Sequence, residues 1–95
     1  KLVSKAVRSG WVSSKGKFIQ EFEENFAKYI GAKHAIATSN GTSALHLALK
    51  ALGVGLRDEV IIPTLTFASV ANTVIYTGSK PVLIDSHPEY WCINP

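Results

Sequence analysis

The residues best suited to chemistry are Ser39-Asn40-Gly41-Thr42-Ser43, a run of small polar side chains leading directly into the amphipathic segment Ala44 to Leu49. A helix starting near Thr42 leaves its first backbone N–H groups without intrahelical partners, and the positive end of its dipole points the same way. A phosphate group fits such a corner. Gly41 admits a positive φ and a close ligand approach, and the hydroxyls of Thr42 and Ser43 can donate to phosphate oxygens. An ordinary helix N-cap draws on the same residue types, so the turn alone leaves capping and phosphate binding both open.

A second turn, Pro63-Thr64-Leu65-Thr66-Phe67-Ala68-Ser69, puts an aromatic ring near the start of another helical segment. Phe67 there could stack on a planar cofactor, although periodicity favours a core aromatic on the buried helix face. Asn72 on the same helix reads equally as a site residue or an exposed position. His34, His46 and His87 share no metal-ligand spacing with one another or with Cys92, so no metal site is expected. His46 is expected to pack on a sheet with one ring nitrogen hydrogen-bonded. Asp58 and Glu59 read as a solvated pair in a loop before a strand. The nucleophile elbow G-x-S-x-G is absent, and Asp85, at a strand end, reads as a turn cap or a site residue.

The elements that must position these groups alternate along the chain. Leu2, Val3, Ala6 and Val7 recur at helical spacing and stop at Gly10. Phe18, Ile19, Phe22, Phe26, Tyr29 and Ile30 line one face of a second helix that ends at Gly31. Strands are expected at Ala35-Ile36-Ala37, Val60-Ile61-Ile62 and Pro81 to Ile84, separated by helices from Thr42 to Leu52 and from Thr66 to Tyr76. Continuously apolar strands are covered on both faces, and single intervening helices imply a mainly parallel α/β sheet with ligands outside the carboxyl ends of its strands. Both polar turns lie at such ends.

Composition narrows the field. At 95 residues and 46% apolar content the chain buries one modest core, as one domain or part of one. Its formal charge of +3 gathers at the front, where Lys1, Lys5, Arg8, Lys15 and Lys17 precede the first acid, Glu21. No dense basic stripe with interleaved aromatics accompanies them, so nucleic acid is not the expected partner. The single Cys92 builds no disulfide or thiolate metal site, and a reducing cytoplasm is its simplest setting. No apolar run reaches the roughly eighteen residues that span a membrane, and residues 1 to 10 lack the apolar stretch of a signal peptide. A chain beginning without Met and ending on Asn94-Pro95 reads as a piece of something longer. Both G-x-G-x-x-G after a strand and a Gly-Lys-Ser/Thr close are missing, which disfavours dinucleotide and P-loop sites and leaves a cofactor with a single phosphate.

Taken together, Ser39-Asn40-Gly41-Thr42-Ser43-Ala44-Leu45-His46-Leu47-Ala48-Leu49, Asp58-Glu59-Val60-Ile61-Ile62-Pro63-Thr64-Leu65-Thr66-Phe67, Ala71-Asn72, Tyr76-Thr77-Gly78 and Lys80-Pro81-Val82 resemble the DegT/DnrJ/StrS aminotransferases. Gly16-Lys17-Phe18 to Phe22-Glu23 is similar to the family's leading helix, so the likeness runs from about Gly10 to Pro95. The resemblance implies part of the amino-terminal, pyridoxal-phosphate-binding large domain of the aspartate-aminotransferase type (fold type I), with residues 1–95 forming helices followed by a βαβαβ portion. It also implies that Gly41, Thr42 and Ser43 hold the phosphate of pyridoxal phosphate and that Phe67 stacks on its pyridine ring. The implied reaction is amino transfer to a nucleotide-linked keto-deoxysugar, with glutamate as donor and a homodimer as the working form. Tyr90-Trp91-Cys92-Ile93 is similar to perosamine-synthase-like members, which act on GDP-4-keto-6-deoxymannose.

The Schiff-base lysine and its acidic partner lie beyond this stretch in the family, so no catalytic residue is assigned to the chain and the chain alone is expected to be inert. Dehydration of a related keto sugar, or a truncated non-catalytic paralogue, are the alternative readings. Three departures bear on loops: Leu56-Arg57-Asp58 replaces the usual Pro-Gly-Asp, Asp85-Ser86-His87 lacks the second Asp of D-x-D, and Asn94 stands where Asp precedes Pro in most relatives.

Overall fold

The computed structural model describes residues 1–11 and 13–94, so Val12 and the closing Pro95 lie outside the described residues. The chain divides into two compact units, Lys1–Ala37 and the residues from Thr38 onward.

In the first unit, α1 (Leu2–Arg8) is followed by α2 (Lys17–Ile30). Lys5 and Arg8 in the last turn of α1 oppose the negative end of its dipole. α2 runs along the apolar stripe expected of it and stops where Gly31 takes the left-handed conformation at φ 70°, its N–H donating to the Lys28 carbonyl. The Ala32 N–H reaches back to the Ala27 carbonyl at 2.9 Å, which satisfies another of the helix's orphan carbonyls. Ala27 is the buried residue of this helix, and Phe22 stacks on Phe26 with ring centroids 5.7 Å apart.

The strand expected at Ala35-Ile36-Ala37 is absent. Among the described residues the segment pairs with no strand, and the Ala37 N–H donates to the Glu23 carboxylate of α2 at 2.7 Å. A strand is defined by its ladder, and here a side chain of α2 has taken a donor that a ladder would use.

The second unit begins with α3 (Gly41–Ala51), continues through β1 (Glu59–Pro63) and α4 (Ala68–Tyr76), and returns to β2 (Lys80–Ile84). The two strands pair in parallel, Glu59 against Lys80 through Pro63 against Ile84. This βαβ unit is the one the branched, apolar strands and single intervening helix call for. α4 packs on both strands and α3 packs on α4. Ile62 and Val74 are fully buried there, each burial contributing on the order of 2 kcal/mol. Coverage of both sheet faces, as expected from the apolar pattern, is not seen within the unit: among the described residues Ile61 and Leu83 stay more than half exposed, while α4 packs on both strands.

The end of α4 is closed by buried hydroxyls. Thr77 Oγ1 donates to the Val74 carbonyl at 2.7 Å and Ser79 Oγ reaches the same carbonyl at 3.0 Å, with the two hydroxyls 2.6 Å apart. They add to the Thr77 N–H, which already donates to that carbonyl at 3.1 Å, and so keep the buried hydroxyls themselves hydrogen-bonded. Gly78 then takes φ 85°, close against the Leu56 side chain.

Candidate functional site

The polar turn at the start of α3 is built around Asn40. Its backbone is extended, its Oδ1 accepts the Ser43 N–H at 2.9 Å, and its carbonyl accepts the Ala44 N–H at 3.1 Å. Asn40 Nδ2 donates to Ser39 Oγ at 3.0 Å, and Thr38 Oγ1 donates to the Asn40 carbonyl at 3.1 Å. Asn40 is therefore the N-cap, and capping consumes the Ser43 N–H.

Two donors are left over. Among the described residues, the Gly41 and Thr42 N–H groups have no acceptor, and both sit at the positive end of α3. Gly41 is the first helical residue and does not take the positive φ expected of it; Asn40 makes the bend into the helix by extended backbone instead. A Cβ placed at Gly41 would meet nothing within 4 Å, so the space beside it is open. Thr42 is half-buried, Ser43 is exposed, and the Ser43 hydroxyl lies 3.5 Å from that of Ser39. Two backbone donors, two rotatable hydroxyls and an open side suit a phosphate dianion, so the residues present fit the phosphate end of pyridoxal phosphate.

The second turn corrects the sequence reading. α4 starts at Ala68 rather than Thr66, and Phe67 is its N-cap with φ −71° and ψ 138°. Phe67 is 79% exposed, so the core position that periodicity favours is not occupied. A residue in extended backbone just before the helix does not follow the helical period, which is why the pattern misplaced it. Asn72 is exposed on α4.

Other expectations also change. The His46 ring meets Tyr76 of α4 edge-on, with centroids 6.0 Å apart, because α3 packs on that helix rather than lying against the strands. Asp58 closes a turn by accepting the Gly55 N–H at 2.8 Å, and Glu59 lies within β1, where it accepts from Lys80 Nζ at 2.9 Å. Both ends of that ion pair are exposed, so it contributes little. Asp85 caps the turn after β2, its Oδ1 accepting the Ser86 N–H at 2.8 Å. His87 Nδ1 accepts the Glu89 N–H at 3.2 Å, supplying the side-chain acceptor that a second aspartate would otherwise provide.

Among the described residues no three His, Cys, Asp or Glu side chains come together as a metal site, and no helix is long and apolar enough to cross a membrane.

A model of the DegT/DnrJ/EryC1/StrS aminotransferase family matches residues 1–95. The chain belongs to this family. Relatives include a GDP-perosamine synthase of Caulobacter vibrioides, 60% identical over 78 residues that make up 82% of this chain and 21% of that protein. A GDP-perosamine synthase of Escherichia coli O157:H7 is 49% identical over 94% of this chain and 24% of its own length. The Bacillus subtilis spore coat polysaccharide biosynthesis protein SpsC is 50% identical over 98% of this chain and 24% of its own length. The chain thus spans about a quarter of the length of the curated relatives it matches.

Solved structures of the family superpose closely. A DegT DnrJ EryC1 StrS aminotransferase from Brucella abortus gives a TM-score of 0.89 at 37% identity over 97% of this chain and 24% of that one. NtdA from Bacillus subtilis, with bound cofactor PMP, gives 0.90 at 33% identity over 98% of this chain and 21% of that one. The fold is that of part of the large domain of fold type I aminotransferases, with helices and a parallel strand pair.

Proposed function

We propose that residues 1–95 form part of one larger coenzyme-binding domain in a pyridoxal-phosphate-dependent aminotransferase acting on a nucleotide-linked keto-deoxysugar. The observation that carries the reading is the division of labour at α3: Asn40 caps the helix, while the Gly41 and Thr42 N–H groups remain unclaimed beside open space. In this reading Gly41, Thr42 and Ser43 hold the coenzyme's phosphate, and Phe67, exposed at the start of α4 in the same unit, stacks on its pyridine ring.

When bound, pyridoxal phosphate supplies the electron sink through which an amino group passes from donor to sugar. This chain's residues bind and orient. The helix end neutralises part of the phosphate charge, and the Phe67 face fixes the tilt of the ring. The lysines are all exposed, and the one nearest a strand, Lys80, is paired with Glu59. We accordingly place the Schiff-base lysine and its acidic partner outside this chain, which by itself transfers no amino group. GDP-4-keto-6-deoxymannose is the sugar substrate of this reading, supported by the presence of GDP-perosamine synthases among the relatives. Glutamate as donor, a homodimer as the working assembly and a cytoplasmic setting complete the reading.

Replacing Thr42 and Ser43 together with Val tests it. Loss of two hydroxyl donors to a charged group is expected to weaken coenzyme retention at least about tenfold. The melting temperature should move little, because the Asn40 cap needs only the Ser43 backbone N–H. Unchanged retention would refute the phosphate assignment.

A further inference from the structure

The turn from Pro63 to Phe67 must hold the ring of Phe67 still if that ring is to stack on a coenzyme, and few contacts are available to do it. Pro63 has no N–H to give. Leu65 and Thr66 are exposed, and the Phe67 cap makes no side-chain hydrogen bond. The far end is tied to α4 by the Val70 N–H, which donates to the Phe67 carbonyl at 2.9 Å. The near end is tied at Thr64. Its N–H donates to the Ile84 carbonyl at 2.8 Å, extending the parallel ladder past the Pro63–Ile84 pair, and its Oγ1 reaches Asp85 Oδ1 at 3.5 Å.

Asp85 is itself a fixed point. Its Oδ1 accepts the Ser86 N–H at 2.8 Å and its carbonyl accepts the Asn94 N–H at 3.0 Å, so both its backbone and its side chain are held by the loop that follows β2. The Thr64 hydroxyl therefore lies 3.5 Å from a carboxylate oxygen that the Ser86 N–H already holds.

We propose that Asp85, acting through the Thr64 hydroxyl, is a positioning residue that sets the Pro63–Phe67 turn and so the plane in which Phe67 meets the coenzyme ring. Asp85 touches neither coenzyme nor substrate in this arrangement. The inference rests on the stacking role proposed above for Phe67, and its test separates the two.

Pyridoxal phosphate is titrated onto coenzyme-free protein, reading affinity and the induced circular dichroism of the bound chromophore, in wild type, Asp85→Ala, Asp85→Asn, Thr64→Val and Phe67→Ala backgrounds. Loss of one modest hydrogen bond behind the turn is expected to weaken binding about fivefold in Asp85→Ala and to reduce the dichroic band. Thr64→Val should do the same, and the double variant no more than either single one. Asp85→Asn, whose amide oxygen still accepts from both partners, should restore most of the affinity. Coupling decides the matter. In the Phe67→Ala background, Asp85→Ala should have no further effect.

An equal loss with or without the Phe67 ring would show a merely structural role and overturn the proposal, as would unchanged binding and dichroism in Asp85→Ala. If Phe67→Ala alone leaves affinity and dichroism as in wild type, the stacking role falls and the positioning role with it. Amide exchange in the coenzyme-free protein adds a readout independent of binding: the Thr64 N–H, bonded to the Ile84 carbonyl, should exchange faster in Asp85→Ala, and an unchanged rate would contradict the latch.

Discussion

At the start of α3 the backbone geometry shows which residue caps the helix, a choice the residue types alone leave open. Ser, Thr and Asn serve both as caps and as phosphate ligands, so the types in Ser39–Ser43 do not choose between them. In the folded chain the Asn40 carboxamide takes the Ser43 N–H at 2.9 Å, and the two N–H groups before it remain for another acceptor. Asn40→Ala is therefore expected to cost about 1 kcal/mol of stability in denaturant titration, the usual loss of a cap.

Arg57 gives a second residue-scale test. It takes φ 79°, a left-handed conformation costly for a side chain with Cβ, at the position where the family's usual Pro-Gly-Asp carries glycine. Arg57→Gly should raise stability by roughly 0.5–1 kcal/mol, the relief of strain outweighing the added freedom of the unfolded chain. A neutral or destabilising result would mean that the Arg57 side chain makes a compensating contact.

Among the elements, α4 carries the most of the second unit's order. It buries Val74 and Thr73, is followed by the Thr77–Ser79 hydroxyl pair, and is capped at its start by Phe67. Thr77→Val keeps the shape but removes the 2.7 Å hydrogen bond to the Val74 carbonyl, and it leaves Ser79 Oγ without its 2.6 Å neighbour. A loss of about 1–2 kcal/mol follows from one buried polar group left under-satisfied, measurable as a lowered denaturation midpoint at unchanged slope. An unchanged midpoint would show that Ser79 alone closes the helix.

At the scale of the whole molecule, helices with wide apolar stripes and glycine stops were legible from the pattern alone. Phe18 to Ile30 before Gly31 became α2, and the branched runs at Val60 and Val82 became a parallel pair. Ala35-Ile36-Ala37 failed because pairing is a property of the partner, and the Glu23 carboxylate was there first. Phe67 was misplaced because a cap residue leaves the helical period one step before the helix starts. The Thr77–Ser79 closure and the left-handed Arg57 were not anticipated, since neither residue type signals its conformation in isolation. The helix-starting polar turn was legible because capping chemistry is local, and family membership followed from several such local runs in the right order.

The central claim concerns one ionic group and one helix end. A crystal structure of the protein loaded with pyridoxal phosphate measures it directly. Phosphate oxygens are expected within about 2.7–3.2 Å of the backbone nitrogens of Gly41 and Thr42, with the Ser43 nitrogen still bonded to Asn40. A phosphate seated elsewhere, with those two N–H groups facing water or another part of the protein, would contradict it.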